Sequence, residues 1–294
     1  MKVSGFTIIK DAILNDYPIV EAIESILPVV DEMLVSVGKS EDDTLNLIRS
    51  IRSDKIRIVE SEWDMTLREG GKVLAVETDK VLRQLSPDSD WAFYIQGDEV
   101  VHEKYHGAIR QACELYVDNQ EVEGLLFDYL HFYGTYNYVG DSRKWYRKEI
   151  RIVRNESRKV NPTISAYRDA QGFRKGSAKL NVKHCGAGVY HYGWVKSPIQ
   201  MKRKMKNVSR FWNDGEEWEK ILRSEDFFDY NAFDSLVLFK DAHPKVMLNR
   251  IAKQDWNVDL DLSRKKFKFK NAVLYWIEKI TGKRLFEFRN YKII

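Results

Sequence analysis

The chain has 294 residues, 44% hydrophobic and 31% charged, the composition of a globular protein with room for one large domain or two small ones. No run of eighteen apolar residues occurs, so no transmembrane helix is expected, and two cysteines, Cys113 and Cys185, exclude a disulfide framework. The net charge of +4 is uneven: residues 263–294 hold ten Lys/Arg against two Glu, and the rest of the chain 38 against 42 acids, a mildly acidic body that argues against a nucleic-acid partner. The apolar start, residues 3–9, is too short for the core of a signal peptide, and a cytoplasmic protein with buried thiols is the expectation.

Residues 3–9 alternate as a first strand ending at Lys10-Asp11. Pro18 opens a helix whose apolar face is Ile19, Ala22, Ile23, Ile26 and Leu27. Met33–Val37 is a second strand, Gly38–Asp43 a loop, and Thr44–Arg52 a second helix. Lys55–Ser61 alternates as a third strand, and Gly70-Gly71 lead into a helix that runs to Leu85. A fourth strand starts at Trp91. This β-α-β-α-β-α-β order predicts an α/β fold with a parallel sheet and helices on both faces.

Further on, Ile109, Ala112, Cys113 and Tyr116 mark another helix, and Glu123–Gly134 and Trp145–Arg154 read as strands. Residues 155–188, rich in Gly, Asn and Lys, have weak periodicity and are expected to be loops over the site. Val189–Val195 is a short aromatic strand, and Ser197-Pro198 start a helix bearing Met201, Met205, Val208 and Trp212. The expected division is a body of residues 1–249 and a basic, amphipathic extension, 250–294.

The stretch Trp91-Ala92-Phe93-Tyr94-Ile95-Gln96-Gly97-Asp98-Glu99 carries the chemistry. A buried strand that stops at two carboxylates presents them where water or a cation reaches them, and strand ends of open α/β sheets are where ligands bind. Gln96-Gly97-Asp98-Glu99, with Asp90-Trp91 before and Val100-Val101-His102-Glu103 after, resembles the Asp-x-Asp element of nucleotide-sugar glycosyltransferases of family 2, in a bacterial subgroup with a Q-x-D-E motif. Gln96 stands where the family usually has its first Asp.

The resemblance implies a GT-A fold, a mostly parallel Rossmann-like sheet flanked by helices, over residues 3–250. It implies transfer of a sugar from a nucleotide-sugar donor to a hydroxyl of a glycan or lipid-linked acceptor, with inversion, in the setting of a bacterial surface polysaccharide. It also implies Mn²⁺ or Mg²⁺ held by Asp98 and Glu99, because a divalent cation stabilises the diphosphate leaving group and takes oxygen ligands. His191, in Tyr190-His191-Tyr192-Gly193-Trp194, resembles the late metal-ligating His of such enzymes, although a histidine between tyrosines also suits a packing role.

The candidate donor contacts are Thr7, Lys10, Gly38 and Asp43 at the ends of the first strands, Arg68, Lys72 and Asp79 around the third helix, and Gln96 and Gly97 in the motif. An inverting transferase needs a general base. Asp169, in a segment between the motif and His191, is the first candidate, and Asp128 the second.

Three other patterns compete. Gly38-Lys39-Ser40 lacks the first glycine of a phosphate-binding loop, and Gly186-Ala187-Gly188 lacks the third of a dinucleotide fingerprint. His102-Glu103-Lys104-Tyr105-His106 fits the H-E-x-x-H of zinc peptidases, the rival enzyme class. Gln96 in place of Asp is the one argument for a non-catalytic, glycan-binding relative. Phe267, Phe269, Val273, Trp276, Ile277 and Ile280 lie among lysines, so residues 263–294 either contact an anionic membrane peripherally or pack on the body with their lysines in water.

Overall fold

The structure is a computed structural model, and it describes residues 1–67, 69–212 and 226–294. Arg68 and the stretch 213–225 lie outside the described residues.

Strand β1 (Val3–Ile9) is buried along its whole length at the centre of the first half of the sheet. It pairs in parallel with β2 (Glu32–Gly38) on one side and β4 (Trp91–Tyr94) on the other, and β2 pairs in parallel with β3 (Ile56–Ser61). The order β3-β2-β1-β4 means the chain moves outward from β1 and then returns to its other side. At such a reversal the two flanking connections leave in opposite directions and open a crevice at the carboxyl ends of the strands.

The helices cover both faces, as the apolar spacing predicts. On one face α1 (Ile19–Ile26), α2 (Thr44–Arg49) and α4 (His106–Tyr116) bury Ile19, Ile23, Ile26, Ile48 and Ile109 in one core with Val35, Phe93 and Phe127. On the other, α3 (Lys72–Leu82) buries Val73, Val81 and Leu82 against Phe6, Leu34, Tyr94 and Phe173. Each such side chain contributes about 1.5–3 kcal/mol relative to an exposed one.

Beyond β4 the sheet becomes mixed. β7 (Lys148–Arg154) is antiparallel to β4, the 17-residue β6 (Gly124–Gly140) is antiparallel to β7, and the 18-residue β10 (Ala178–Val195) is parallel to β6. The short β5 (Glu99–Val101) pairs antiparallel with β10. This is an α/β architecture, a parallel Rossmann-like half followed by an antiparallel extension.

One expectation differs from the structure. Residues 155–188 are loop only in part: 155–163 form no strand or helix, but the rest forms the hairpin β8 (Ile164–Tyr167) and β9 (Gly172–Lys175) and the first half of β10. Their alternation is masked because β10 shifts register against β6 between His184 and Gly188, which puts Cys185 and Ala187 in the core and interrupts the two-residue period. At the C-terminus, the last residues return to the body. β11 (Leu236–Leu238) pairs antiparallel with β6, and β12 (Tyr291–Ile293) pairs in parallel with β10 at Leu180–Val182, after a helix, Phe269–Thr281, that buries Tyr275. No described helix is long and apolar enough to cross a membrane.

Candidate active site

A cleft of about 240 Å³ opens where β1 and β4 end. Lys10, Asn15 and Tyr17 line it from the segment after β1, Gln96, Gly97 and Asp98 from the turn after β4, and Asp169 and Gln171 from the β8–β9 turn. Lys204 and Trp212 line it from the region of α5 (Pro198–Ser209).

The register of β5 on β10 assembles the site. Glu99 is opposite His191, and the Tyr192 N–H donates to the Asp98 carbonyl at 2.8 Å. Asp98 therefore comes beside His191, with Oδ1 at 3.7 Å from His191 Nε2, while Lys204 Nζ donates to Asp98 Oδ2 at 3.1 Å and to the Gly193 carbonyl at 3.0 Å. Burial opposes ionisation of Asp98, but Lys204 and His191 outweigh it and hold its carboxyl below the usual carboxylate range. Burial lowers the His191 pKa while the Asp98 carboxylate acts against it.

Gly193 keeps the space between the two donors open. A Cβ there would stand 2.6 Å from Asp98 Oδ2 and 2.7 Å from His191 Nε2. A carboxylate oxygen and an imidazole nitrogen facing a gap that only glycine leaves clear are a donor set suited to Mn²⁺ or Mg²⁺, whose other positions a diphosphate can fill. Among the described residues no group of three His, Cys, Asp or Glu side chains converges as a metal site.

Glu99 is not one of them, which corrects the expected pair of carboxylate ligands. Alternation along the chain turns it inward, where it is fully buried. Arg151 grips it with two hydrogen bonds, Nη2 to Oε1 at 2.7 Å and Nε to Oε2 at 2.8 Å, and the Tyr129 hydroxyl donates to Oε1 at 2.7 Å. Arg151 also donates to the Gln171 carbonyl at 2.7 Å, and Gln96 Nε2 donates to the Ala170 carbonyl at 3.1 Å. These bonds tie the motif to the β8–β9 turn and hold Asp169 over the cleft. They also give Gln96 a task that a carboxylate could not do, since an Asp side chain has no N–H to donate.

The remaining expected residues divide. Lys10 lines the cleft, and its ammonium bonds the Lys39 carbonyl. Gly38 lines a neighbouring hollow over the ends of β2 and β3, with Lys39, Ser40, Asp42 and Glu60. Thr7 is buried within β1 and lines neither. Asp43 accepts from Asn46 Nδ2 at 2.7 Å and lies outside both, and Lys72 is an exposed residue at the start of α3. Asp79 accepts the Ala166 N–H at 2.7 Å, a tie between α3 and β8, and burial raises its pKa. Asp128 is half exposed and paired with Lys148 and His184, outside the cleft, so it is not placed to serve as base there.

Sequence reasoning missed Lys204, one of several basic residues on α5, because no local pattern distinguishes it. It also missed Asp11, whose buried carboxylate accepts the Glu41 N–H at 2.7 Å and Arg210 Nη2 at 2.7 Å, fastening the residue after α5 to the loop after β1. The H-E-x-x-H histidines do not converge. His102 Nδ1 accepts from Lys104 N at 3.2 Å, and His106 Nε2 meets the Ser25 carbonyl at 2.8 Å, because a 3₁₀ turn at Glu103–Tyr105 separates them before α4 begins.

No family model matches the chain, and no curated protein matches it in sequence. Several solved structures are similar in chain course. TarS of S. aureus is 16% identical with a TM-score of 0.41, over 76% of this chain and 42% of that one. A shorter form, TarS 1–349 in complex with UDP, is 17% identical with a TM-score of 0.39, over 76% and 70%. Glucosyl-3-phosphoglycerate synthase from Mycobacterium tuberculosis, in complex with Mn²⁺, UDP and phosphoglyceric acid, is 20% identical with a TM-score of 0.30, over 44% and 43%. The chain thus spans less than half of the longer TarS chain. Strand order and register, not these likenesses, define the fold.

Proposed function

We propose that this chain is a family 2 type glycosyltransferase that moves a sugar from a nucleotide-sugar donor to a hydroxyl of a glycan or lipid-linked acceptor, with inversion. The observation that carries this reading is the meeting of Asp98, Lys204 and Asp169 around one cleft at the β1/β4 reversal, with His191 beside Asp98. The nucleoside end of the donor lies toward Lys10 and the Gly38 hollow, and its diphosphate toward Asp98.

Asp98 and His191 would hold Mn²⁺ or Mg²⁺, which when bound supplies positive charge to the diphosphate leaving group. Lys204 keeps Asp98 ionised before the donor arrives and offers an ammonium to the phosphates afterwards. Asp169 takes the proton of the acceptor hydroxyl as that oxygen bonds the anomeric carbon and the bond from this carbon to the diphosphate breaks, releasing the nucleoside diphosphate; Tyr17 and Trp212 line the cleft. The Gln96–Ala170 bond weakens the non-catalytic alternative, since it gives the glutamine a local purpose.

Residues 1–249 are the transferase unit in this reading and 250–294 its basic extension. The helix Phe269–Thr281 exposes Phe269, Val273, Trp276 and Ile280 among lysines, which suits peripheral contact with an anionic membrane beside a lipid-linked acceptor. Replacing Trp276 and Ile280 by Ser should then abolish co-sedimentation with phosphatidylserine vesicles.

The test of the main reading is a melting-temperature screen of nucleoside diphosphates and their sugars with Mn²⁺. Ligand at a hundred times its Kd stabilises by about 2.7 kcal/mol. A chain that no nucleoside diphosphate stabilises, with or without the cation, is not a nucleotide-sugar transferase.

A further inference from the structure

Behind His191 stands a second histidine that neither the motif nor the proposed reaction uses. His131 on β6 is the register partner of His191 on β10. The two rings meet edge to face, with centroids 5.0 Å apart and planes at 68°. His131 Nδ1 faces His191 Nδ1 at 3.2 Å, and on the other side of the ring Nε2 is 2.8 Å from the Tyr146 carbonyl oxygen.

These two contacts fix where the hydrogens are. A carbonyl oxygen only accepts, so His131 Nε2 must carry a hydrogen and donate it. The ring is 3% exposed and stacked on Tyr129 and Trp145, surroundings that favour the neutral form. A neutral imidazole has one N–H, so His131 Nδ1 is a bare acceptor. The hydrogen between the two Nδ1 atoms therefore belongs to His191. That leaves His191 Nε2 as a lone pair, on the side that faces Asp98 at 3.7 Å, beyond hydrogen-bond length.

We propose that His131 is a positioning residue for a divalent-cation site: it holds His191 in the Nδ1–H tautomer, so that Nε2 is presented as a ligand to a cation shared with Asp98. The chain carbonyl–His131–His191 fixes both ring orientation and basicity, as a hydrogen-bonded outer partner does for a metal-bound imidazole. The same arrangement denies His191 the role of proton donor to a leaving group, because the nitrogen that faces Asp98 has no proton to give. The inference rests on the cation-assisted transferase reading and deepens it.

Two measurements on the full chain test it. In metal-free protein labelled with ¹⁵N-histidine, His191 should show a protonated Nδ1 and a bare Nε2; the opposite tautomer, or an imidazolium near neutral pH, overturns the proposal. Mn²⁺ uptake followed by electron paramagnetic resonance, with uridine or guanosine diphosphate present, should weaken about ten- to a hundredfold in His131→Phe, which keeps the ring and removes both nitrogens. His131→Asn, whose amide oxygen can take the place of Nδ1, should recover most of that loss, which a packing role alone would not produce. Wild-type Mn²⁺ affinity in the Phe variant overturns the proposal. Wild-type chain that binds the nucleotide but no Mn²⁺ overturns it and leaves the transferase reading standing, whereas chain that binds neither overturns both.

Discussion

Asp98 and Glu99 are neighbours in the chain, yet the fold gives them opposite work, and substitution should separate them. Glu99→Gln removes the counter-charge of Arg151 while keeping size, and turns one of the two oxygens that accept from Arg151 into a donor. Both side chains of this pair are fully buried, so the guanidinium is left charged with no water to solvate it. Removing one partner of a buried pair costs about 3–5 kcal/mol. At roughly 2–4 °C per kcal/mol for a domain near this size, melting should fall by roughly 6–20 °C. Pairing Glu99→Gln with Arg151→Met should cost less than the two changes summed, because the orphaned charge is then gone. Asp98→Asn should instead leave melting within a few degrees of wild type, by the small effect usual for a partly solvated polar site, on the order of 1 kcal/mol, and abolish transfer. Thermal melts and urea titrations of the four variants, Arg151→Met alone included, with Mn²⁺ uptake measured alongside, decide the matter. Glu99→Gln chain that melts with wild type and has lost Mn²⁺ would refute the inward assignment of Glu99 and restore it as a cation ligand.

Three further outcomes are expected. Gly193→Ala should fold normally but take up Mn²⁺ at least about tenfold more weakly, since its Cβ would fill the gap between Asp98 and His191; unchanged uptake in a titration would contradict the cation site. Asp169→Asn should lower turnover about 10²- to 10⁴-fold with donor binding retained, and a normal rate at saturating acceptor would remove it as base. On the acid side, burial pushes His243 down to about 4 from the ordinary 6.5, so the unfolded chain binds its proton first as pH falls. Its contribution to stability is complete above pH 6.5 and is lost between 6.5 and about 4. His243→Phe should therefore flatten the pH dependence of the urea midpoint in that window, and a slope equal to wild type would show that the imidazole is not held neutral.

The first half of the molecule was legible in the chain itself. Each element from Val3 to Tyr94 is short and local, its apolar residues recur at two or at 3.6, and glycine or proline marks several of its ends, so period alone gave the β-α-β order and put the acidic turn at a strand's end. The same local grammar fails for 155–188, where lysines and glycines carry strands whose partners lie far away and whose period a register shift interrupts.

The site was legible only as a neighbourhood. That Asp98 faces the cleft and Glu99 the core depends on β5 meeting β10 at His191, a pairing across some ninety residues that no window of sequence contains. Lys204, Arg151 and His131 are unremarkable in their own segments: a lysine among basic residues on a helix, an arginine in an alternating strand, a histidine in an aromatic run. Their roles come from burial and distance, because a charge or an imidazole acquires a defined partner and a defined proton only when tertiary packing removes the water that would otherwise compete for both.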